Sequence, residues 1–343
     1  MSDAEPAPEP VTGGVLALVG AGPAAEAILE GLAETGWTPE RIEVLAAKPE
    51  PGATLAGGGR SLDVAPVADF DFSVADIAIF VDDPNCAEAF AAPAAEAGCS
   101  VVEATGLLAH RQEIPQAVAG LDVEGVLADA IDHGLVAIPP APAALLARLL
   151  VPLQRAAGLR AVDATALRGM GAFGGAAVEE LAAQTAGLLN AQEREPEYFD
   201  APIAFNLLPE PGLDDGSAGV ETAMAETARR LLATETLPVT ASAVRVPVFH
   251  GDGLALHLTL EEPLSPEAAA EALRSAGITA AAGPLGPDPR TVAEGGGIHV
   301  GRLRVAPEDP RRLALWAVAD PVKGLVAASA LAVTGLLARE LLD

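Results

Sequence analysis

Val15-Leu16-Ala17-Leu18-Val19-Gly20-Ala21-Gly22-Pro23-Ala24-Ala25-Glu26 is the stretch on which the fold turns. Five apolar residues with no charge read as a strand buried on both faces. Two glycines then break it. From Ala24 to Leu32 the apolar residues Ile28, Leu29 and Leu32 recur on one side of a helix. Strand, glycine turn and helix in that order open a Rossmann unit. Gly20-x-Gly22-x-x-Ala25 meets the loose dinucleotide fingerprint, so Gly20, Gly22 and Ala25 are candidate cofactor contacts. Two neighbours work against the ligand while leaving the fold alone. Pro23 has no N–H to offer a phosphate, and Glu26 puts a negative charge where a pyrophosphate would rest on the helix N-terminus.

Working outward, Arg41–Ala46 reads as a second strand, followed by Lys48, a candidate contact for a 2′-phosphate that is otherwise a surface lysine. Gly57-Gly58-Gly59 marks a hairpin tip, with Ser61–Val67 returning from it. Asp76–Val81 is a further strand, ahead of a helix running to Ala97; Val101-Val102 and Leu135–Ile138 begin the next two. Strands alternating with helices imply a parallel sheet covered on both faces. Ile138-Pro139-Pro140-Ala141-Pro142-Ala143 follows, a strand end running through prolines into a helical pattern starting near Ala144. α/β enzymes often place a nucleophile at such a turn, and this one holds no Cys, Ser, Lys or His.

Beyond it the texture changes. Helices at Ala144–Ala156, Ala176–Asn190, Val220–Ala233 and Pro266–Ala276 separate strands at Leu159–Leu167, Pro238–Phe249, Leu254–Leu260, Ile298–Val305 and Leu313–Ala319. Pro238–Phe249 and Leu254–Leu260 read as two strands around a turn at His250-Gly251-Asp252-Gly253. Ala201–Pro211 carries Ile203, Phe205 and Leu207 in alternation. These elements predict an α/β protein whose second domain is α+β with a mixed or antiparallel sheet. The expected division is a disordered tail at 1–12, a Rossmann-type domain at 13–138 completed by a C-terminal helix at 323–343, and the second domain at 139–322.

Bulk properties narrow the function classes. A formal charge of −28, with lysine only at Lys48 and Lys323, argues against nucleic acid as a partner. The acidic, proline-rich start is no signal peptide, and the apolar run Leu325–Leu337 is broken by Ser329, Thr334 and Gly335. A cytoplasmic protein with no membrane partner is the expectation. Cys86 and Cys99 fit no metal spacing and read as free thiols.

Several stretches, in order and at matching spacing, resemble the aspartate-semialdehyde dehydrogenase family. They are Val19-Gly20-Ala21-Gly22, Glu179-Glu180-Leu181 with Gln184-Thr185, Pro202–Asn206, Val244–Phe249 with Gly251, Val300-Gly301-Arg302, Leu315–Asp320 and Lys323-Gly324. The resemblance implies a Rossmann-type dinucleotide-binding domain and a C-terminal dimerisation domain. It implies an NADP-dependent, phosphorylating oxidoreductase of amino-acid biosynthesis, in which a cysteine thiolate attacks the acyl group, a histidine moves protons and an arginine holds the substrate carboxylate. Carried over position by position, the arginine is Arg245. The nucleophile of the family's Pro-Asn-Cys turn falls at Ala141. The histidine, seven residues after the arginine, falls at Asp252. The active-site glutamine falls at Arg168, the phosphate-holding arginine near Ala109, the arginine after the second strand near Pro49, and an asparagine near Ala328.

The scaffold positions therefore match and the chemical positions do not. The expectation is a non-catalytic homologue that keeps fold and homodimer, with Arg245 as a vestige of substrate binding. It requires no cofactor, NADP being an optional ligand weakened by Glu26 and Pro23. Two rivals stand beside it. One is an NAD(P)-dependent semialdehyde dehydrogenase using relocated residues: Cys86, in Pro84-Asn85-Cys86 at a helix start that would lower a thiol pKa, and His250. The other is a nucleotide-sensing or regulatory subunit that forms a mixed dimer with an active relative. The plainer readings are a helix capped by Asn85 with an incidental Cys86, an exposed turn histidine at His250, an Arg245 neutralised by a nearby acid such as Asp252, a solvated face at Glu179-Glu180, and a core Trp316.

Overall fold

The computed structural model describes residues 10–192, 194–210 and 219–342; the tail up to residue 9 lies outside them. The chain forms two compact units. One comprises Met1–Leu108, Glu113–Ile138 and Ala327–Asp343, the other Ala109–Gln112 and Pro139–Val326.

The first unit holds β1 (Val11–Thr12), β2 (Val15–Val19), α1 (Pro23–Gly31), β3 (Trp37–Thr38), β4 (Arg41–Ala46), β5 (Thr54–Gly57), β6 (Arg60–Pro66), β7 (Ile77–Phe80), α2 (Pro84–Glu96), β8 (Ser100–Glu103), α3 (Glu124–His133) and β9 (Leu135–Ala137). Its main sheet runs β5-β6-β4-β2-β7-β8-β9, parallel throughout except for the β5–β6 hairpin. The six parallel strands thus follow the doubly wound order, with its switch point between β2 and β7. Both central strands are apolar runs, and every residue of β7 is buried. The tail expected at 1–12 stops short of that: Val11 and Thr12 pair in parallel with Trp37 and Thr38. Helix α3 lies in a stretch whose periodicity had carried no reading. The C-terminal helix Ala328–Leu342 belongs to this unit, where the Ser329 hydroxyl accepts from Ala119 N–H at 3.0 Å and Arg339 donates to Thr35 O at 3.4 Å. By length and composition Val322–Leu342 passes for a membrane span, yet half of that window is buried in the fold.

The second unit holds α4 (Ala141–Ala157), β10 (Leu159–Arg168), α5 (Gly175–Leu189), β11 (Leu208–Pro209), α6 (Val220–Leu231), β12 (Val239–Arg245), β13 (Asp252–Leu260), α7 (Pro266–Ser275), β14 (Thr279–Ala280), α8 (Pro289–Gly295), β15 (Ile298–Ala306) and β16 (Asp309–Ala319). The sheet order is β11-β12-β10-β13-β16-β15-β14. It is mixed: β12 and β14 run parallel to β10 and β15, and the other pairs are antiparallel. Residues of period two on β13 and β16, such as Leu254, Leu256, Leu258, Leu313 and Leu315, share a core with Leu145, Leu146, Leu149 and Leu153 of α4 and Met224 of α6. Each such leucine contributes about 1.5–3 kcal/mol by leaving water.

Four sequence expectations change here. Helix α4 begins at Ala141 rather than near Ala144, because Pro142 is tolerated in a first turn whose N–H groups need no helical partner. β12 and β13 are no hairpin, since β10 lies between them. Among the described residues of Ala201–Pro211, which exclude Pro211, the alternation yields only the two-residue β11; Ile203 is buried, while Phe205, at a φ of 57°, and Leu207 face solvent. Trp316 stands outside the core, half-buried, its indole N–H donating to Pro287 O at 2.8 Å.

Candidate functional site

In the first unit the candidate cofactor contacts meet at the switch point. Gly20 follows β2 with a φ of 141°, and a Cβ there would lie 2.4 Å from the Val81 carbonyl oxygen. Its glycine is demanded by the neighbouring strand end. Across the crevice Asp82 follows β7 with a φ of 62°. Its carboxylate accepts from Gly22 N–H at 2.9 Å, Ala24 N–H at 3.0 Å and Ala25 N–H at 3.1 Å. These are the donors that the fingerprint would offer a pyrophosphate. The residues present therefore do not fit the phosphates of NADP at this cradle. Lys48 is exposed just past β4, and Glu26 is exposed in the first turn of α1.

Cys86 lies in the first turn of α2, which Asp83 rather than Asn85 caps, by accepting from Asn85 and Cys86 N–H. The thiol donates to the other Asp83 oxygen at 3.4 Å. Burial first, then that carboxylate, push Cys86 up to about 11. The low pKa anticipated from a helix N-terminus is thus reversed by burial and, after it, by the group that caps the helix. Cys99 is buried too, and burial pushes it up to about 12.

The second unit gathers Arg168, Glu210, Arg245 and Asp252. Arg168 closes β10 and Arg245 closes β12, opposite each other in the parallel register. Asp252 opens β13, buried, with one oxygen accepting from Gly169 N–H at 2.9 Å. Arg168 donates to Glu210 at 2.5 Å, and its Nε lies 3.8 Å from the other Asp252 oxygen. Burial raises Asp252 to about 6, although the Arg168 charge and the Gly169 N–H hold it back. Arg245 makes no ion pair among the described residues, and its buried Nε has no hydrogen-bond partner. Its guanidinium lies 5.2 Å from the Phe173 ring centre and 5.1 Å from that of Phe199. Arg168 stands over the same Phe173 ring, 4.5 Å from its centre. The suggested Arg245–Asp252 pair is therefore absent, because Arg168 takes both acids. Glu210, Phe173 and Phe199 had no local signal: they join the cluster through contacts between strands and loops far apart in sequence.

Ala141 is the first residue of α4, buried against the unit's core, with Pro140 as N-cap. The carbonyl of Pro140 accepts from Ala143 and Ala144 N–H at 2.8 and 3.0 Å. A methyl group here offers no lone pair. Ala109 is buried in a short helical turn, and two and three residues on Arg111 and Gln112 give their carbonyls to Arg230, each at 3.1 Å. His250 is exposed. Glu180 is more than a solvated face: its carboxylate accepts from the backbone N–H groups of Glu197 and Tyr198 and from Gln184 at 3.0 Å, and ties α5 to the segment ahead of β11. Among the described residues no group of His, Cys, Asp and Glu could hold a metal.

Residues 150–322 match the family model described as the semialdehyde dehydrogenase dimerisation domain. Over 333 residues the chain is 33% identical to the USG-1 protein homolog of Pseudomonas aeruginosa, covering 95% of this chain and 98% of that one. It is 30% identical over 335 residues to the aspartate-semialdehyde dehydrogenase of Legionella pneumophila, covering 95% and 96%. Its structure superposes on that of aspartate semialdehyde dehydrogenase II from Vibrio cholerae, complexed with ASA, with a TM-score of 0.88 at 30% identity over 96% of this chain and 99% of that one.

Proposed function

The chain belongs to the aspartate-semialdehyde dehydrogenase family, and we propose that it is a non-catalytic member that keeps the family's fold and homodimer and acts through binding. The observation that carries this reading is the buried Arg168–Asp252 contact, with Glu210 on the same guanidinium. By the family resemblance it occupies the positions of the active-site glutamine and histidine. An imidazole can shuttle protons near neutrality. Asp252, although burial raises it to about 6, has one oxygen on the Gly169 N–H and the other facing Arg168 inside the fold, so neither oxygen is offered to a substrate.

Ala141 supports the same reading from the other side of the chemistry. Covalent acyl transfer needs a nucleophile at the start of α4, and loss of a nucleophile typically costs about 10⁶ in rate. Cys86 does not replace it, because its thiol is buried, hydrogen-bonded to Asp83 and protonated at neutral pH. What remains usable is Arg245. A guanidinium between two aromatic rings, with no acid of its own, suits a carboxylate-bearing ligand, held without being transformed.

The dimer has support in the sheet of the second unit. Its helices α4, α6 and α7 share a core with one face, while residues of the opposite parity, such as Asp163, His257 and Arg312, stay exposed in the single chain. A second copy would cover them. Intact-mass spectrometry after incubation with an acyl phosphate tests the central point. The expected result is an unmodified chain; a mass increase localised to a single side chain of the second unit would end the proposal. A soluble, cytoplasmic protein is part of the same reading.

A further inference from the structure

We propose that Asp82 is a built-in occupant of the dinucleotide cradle, and that it keeps this chain free of NADP. The claim rests on where every donor at the start of α1 goes. Pro23, the first helical residue, has none. Gly22, Ala24 and Ala25 all donate to the Asp82 carboxylate, at 2.9, 3.0 and 3.1 Å. Glu26 N–H has already turned back to the Gly22 carbonyl at 3.1 Å, as the helix ladder requires. Nothing in the first turn is left for a phosphate oxygen.

The backbone and the glycines are built around the same contact. Asp82 takes a φ of 62°, a left-handed conformation that a short acidic side chain tolerates and that aims the carboxylate back across the crevice. A Cβ on Gly22 would lie 2.8 Å from the Asp82 carboxyl carbon. In a dinucleotide site that glycine makes room for a pyrophosphate. Here it makes room for Asp82. Gly20 is explained by its approach to the Val81 carbonyl. Both glycines of the fingerprint are thus accounted for without a ligand. Position matters as much as contact: Asp82 sits at the end of β7, across the switch point from β2, where doubly wound sheets receive their ligands.

Charge completes the exclusion. A pyrophosphate approaching α1 meets the Asp82 carboxylate at the helix N-terminus, then Glu26 in the first turn and Asp83 at the neighbouring helix cap. It would have to displace an anion tethered to the chain itself, which competes at high effective concentration.

The test is equilibrium binding of NADPH to the full chain, by fluorescence and calorimetry, in wild type, Asp82→Gly and Asp82→Asn. Glycine suits the left-handed backbone at this position and removes the carboxylate. Asparagine keeps the conformation and one acceptor oxygen but not the charge, so it covers the case in which the glycine variant does not fold. Wild type should give no saturable signal up to about 1 mM. Asp82→Gly should bind at least about tenfold tighter, and Asp82→Asn about threefold tighter, as one competing charge-assisted contact is removed or weakened. Saturable wild-type binding that both substitutions leave within twofold would overturn the proposal. So would a folded Asp82→Gly variant with no gain. Neither measurement reads turnover, so failure here leaves the reading of the second unit standing.

Discussion

Two places in this molecule answer, by the family resemblance, to a cofactor site and a reaction centre, and a carboxylate of the chain itself takes part in each. At the first, the strand–turn–helix of the Rossmann-type unit keeps its glycines and backbone donors, and one side chain, Asp82, fills the cradle. At the second, on the proposed reading, the side chains of the reaction centre have been exchanged. Arg168, Glu210 and Asp252 form a buried charge cluster, and Ala141 opens α4 at the position that the resemblance assigns to the nucleophile. The difference is one of depth. A cradle made of backbone is closed by a single side chain and reopened by removing it. A centre made of side chains, once exchanged, leaves no scaffold for the chemistry.

Four substitutions or reactions would break or sharpen that contrast. Arg168→Met has the largest expected effect. It strands Glu210 and Asp252 without their cation, and loss of one partner from a buried pair costs about 3–5 kcal/mol. Urea unfolding at pH 8 measures it, and a loss below about 1 kcal/mol would mean that the cluster is not structural. Next is Cys86. A thiol raised to about 11 holds roughly a hundredfold less thiolate near neutrality than an ordinary cysteine. Its alkylation by iodoacetamide at pH 7.5 should lag free thiol by at least that factor, and a rate equal to free thiol would revive the relocated nucleophile.

Asp252→Asn should act in the opposite sense to Arg168→Met. The folded pKa of Asp252, about 6, exceeds its unfolded value. For an acid this means that ionisation costs stability above the folded pKa, and that the cost is relieved as pH falls from about 6 towards about 4. Asparagine keeps an acceptor for Gly169 N–H and removes the charge. It should stabilise the protein by about 1–3 kcal/mol at pH 8 and abolish that pH dependence. A destabilised variant at pH 8 would show that the carboxylate serves Arg168 more than it costs. Smallest is the tenfold or greater gain in NADPH affinity of Asp82→Gly, which separates a closed cradle from a lost one.

How legible all this was in the sequence follows the range of the interactions. The run Val15–Val19, the glycine turn and the helix after it are local, and they read correctly as a strand, turn and helix. The family's spaced motifs carried the rest of the fold. Boundaries failed where local rules permit two outcomes. Pro142 is as compatible with a first helical turn as with the residue before a helix, so α4 began three residues earlier than the periodicity implied. Strand order failed at β12 and β13, since short connections suggest neighbours and the intervening β10 leaves no mark in the segment between them. Sites made of long-range contacts were the least visible. Asp82 meets Gly22 across sixty residues, and Glu210 meets Arg168 across forty-two. The one available signal for Asp82 was its place, an acid just after an apolar strand that must flank the first. Arg245 was legible as a position, but not as an arginine left unpaired because another arginine takes the acids.

The most direct measurement is the phosphate- and NADP-dependent oxidation of aspartate semialdehyde by the purified protein, followed as NADPH absorbance, with Arg245→Ala as the companion variant. The account predicts no turnover above the protein-free rate for either. Turnover by the wild-type chain, above that rate and proportional to protein concentration, would contradict it.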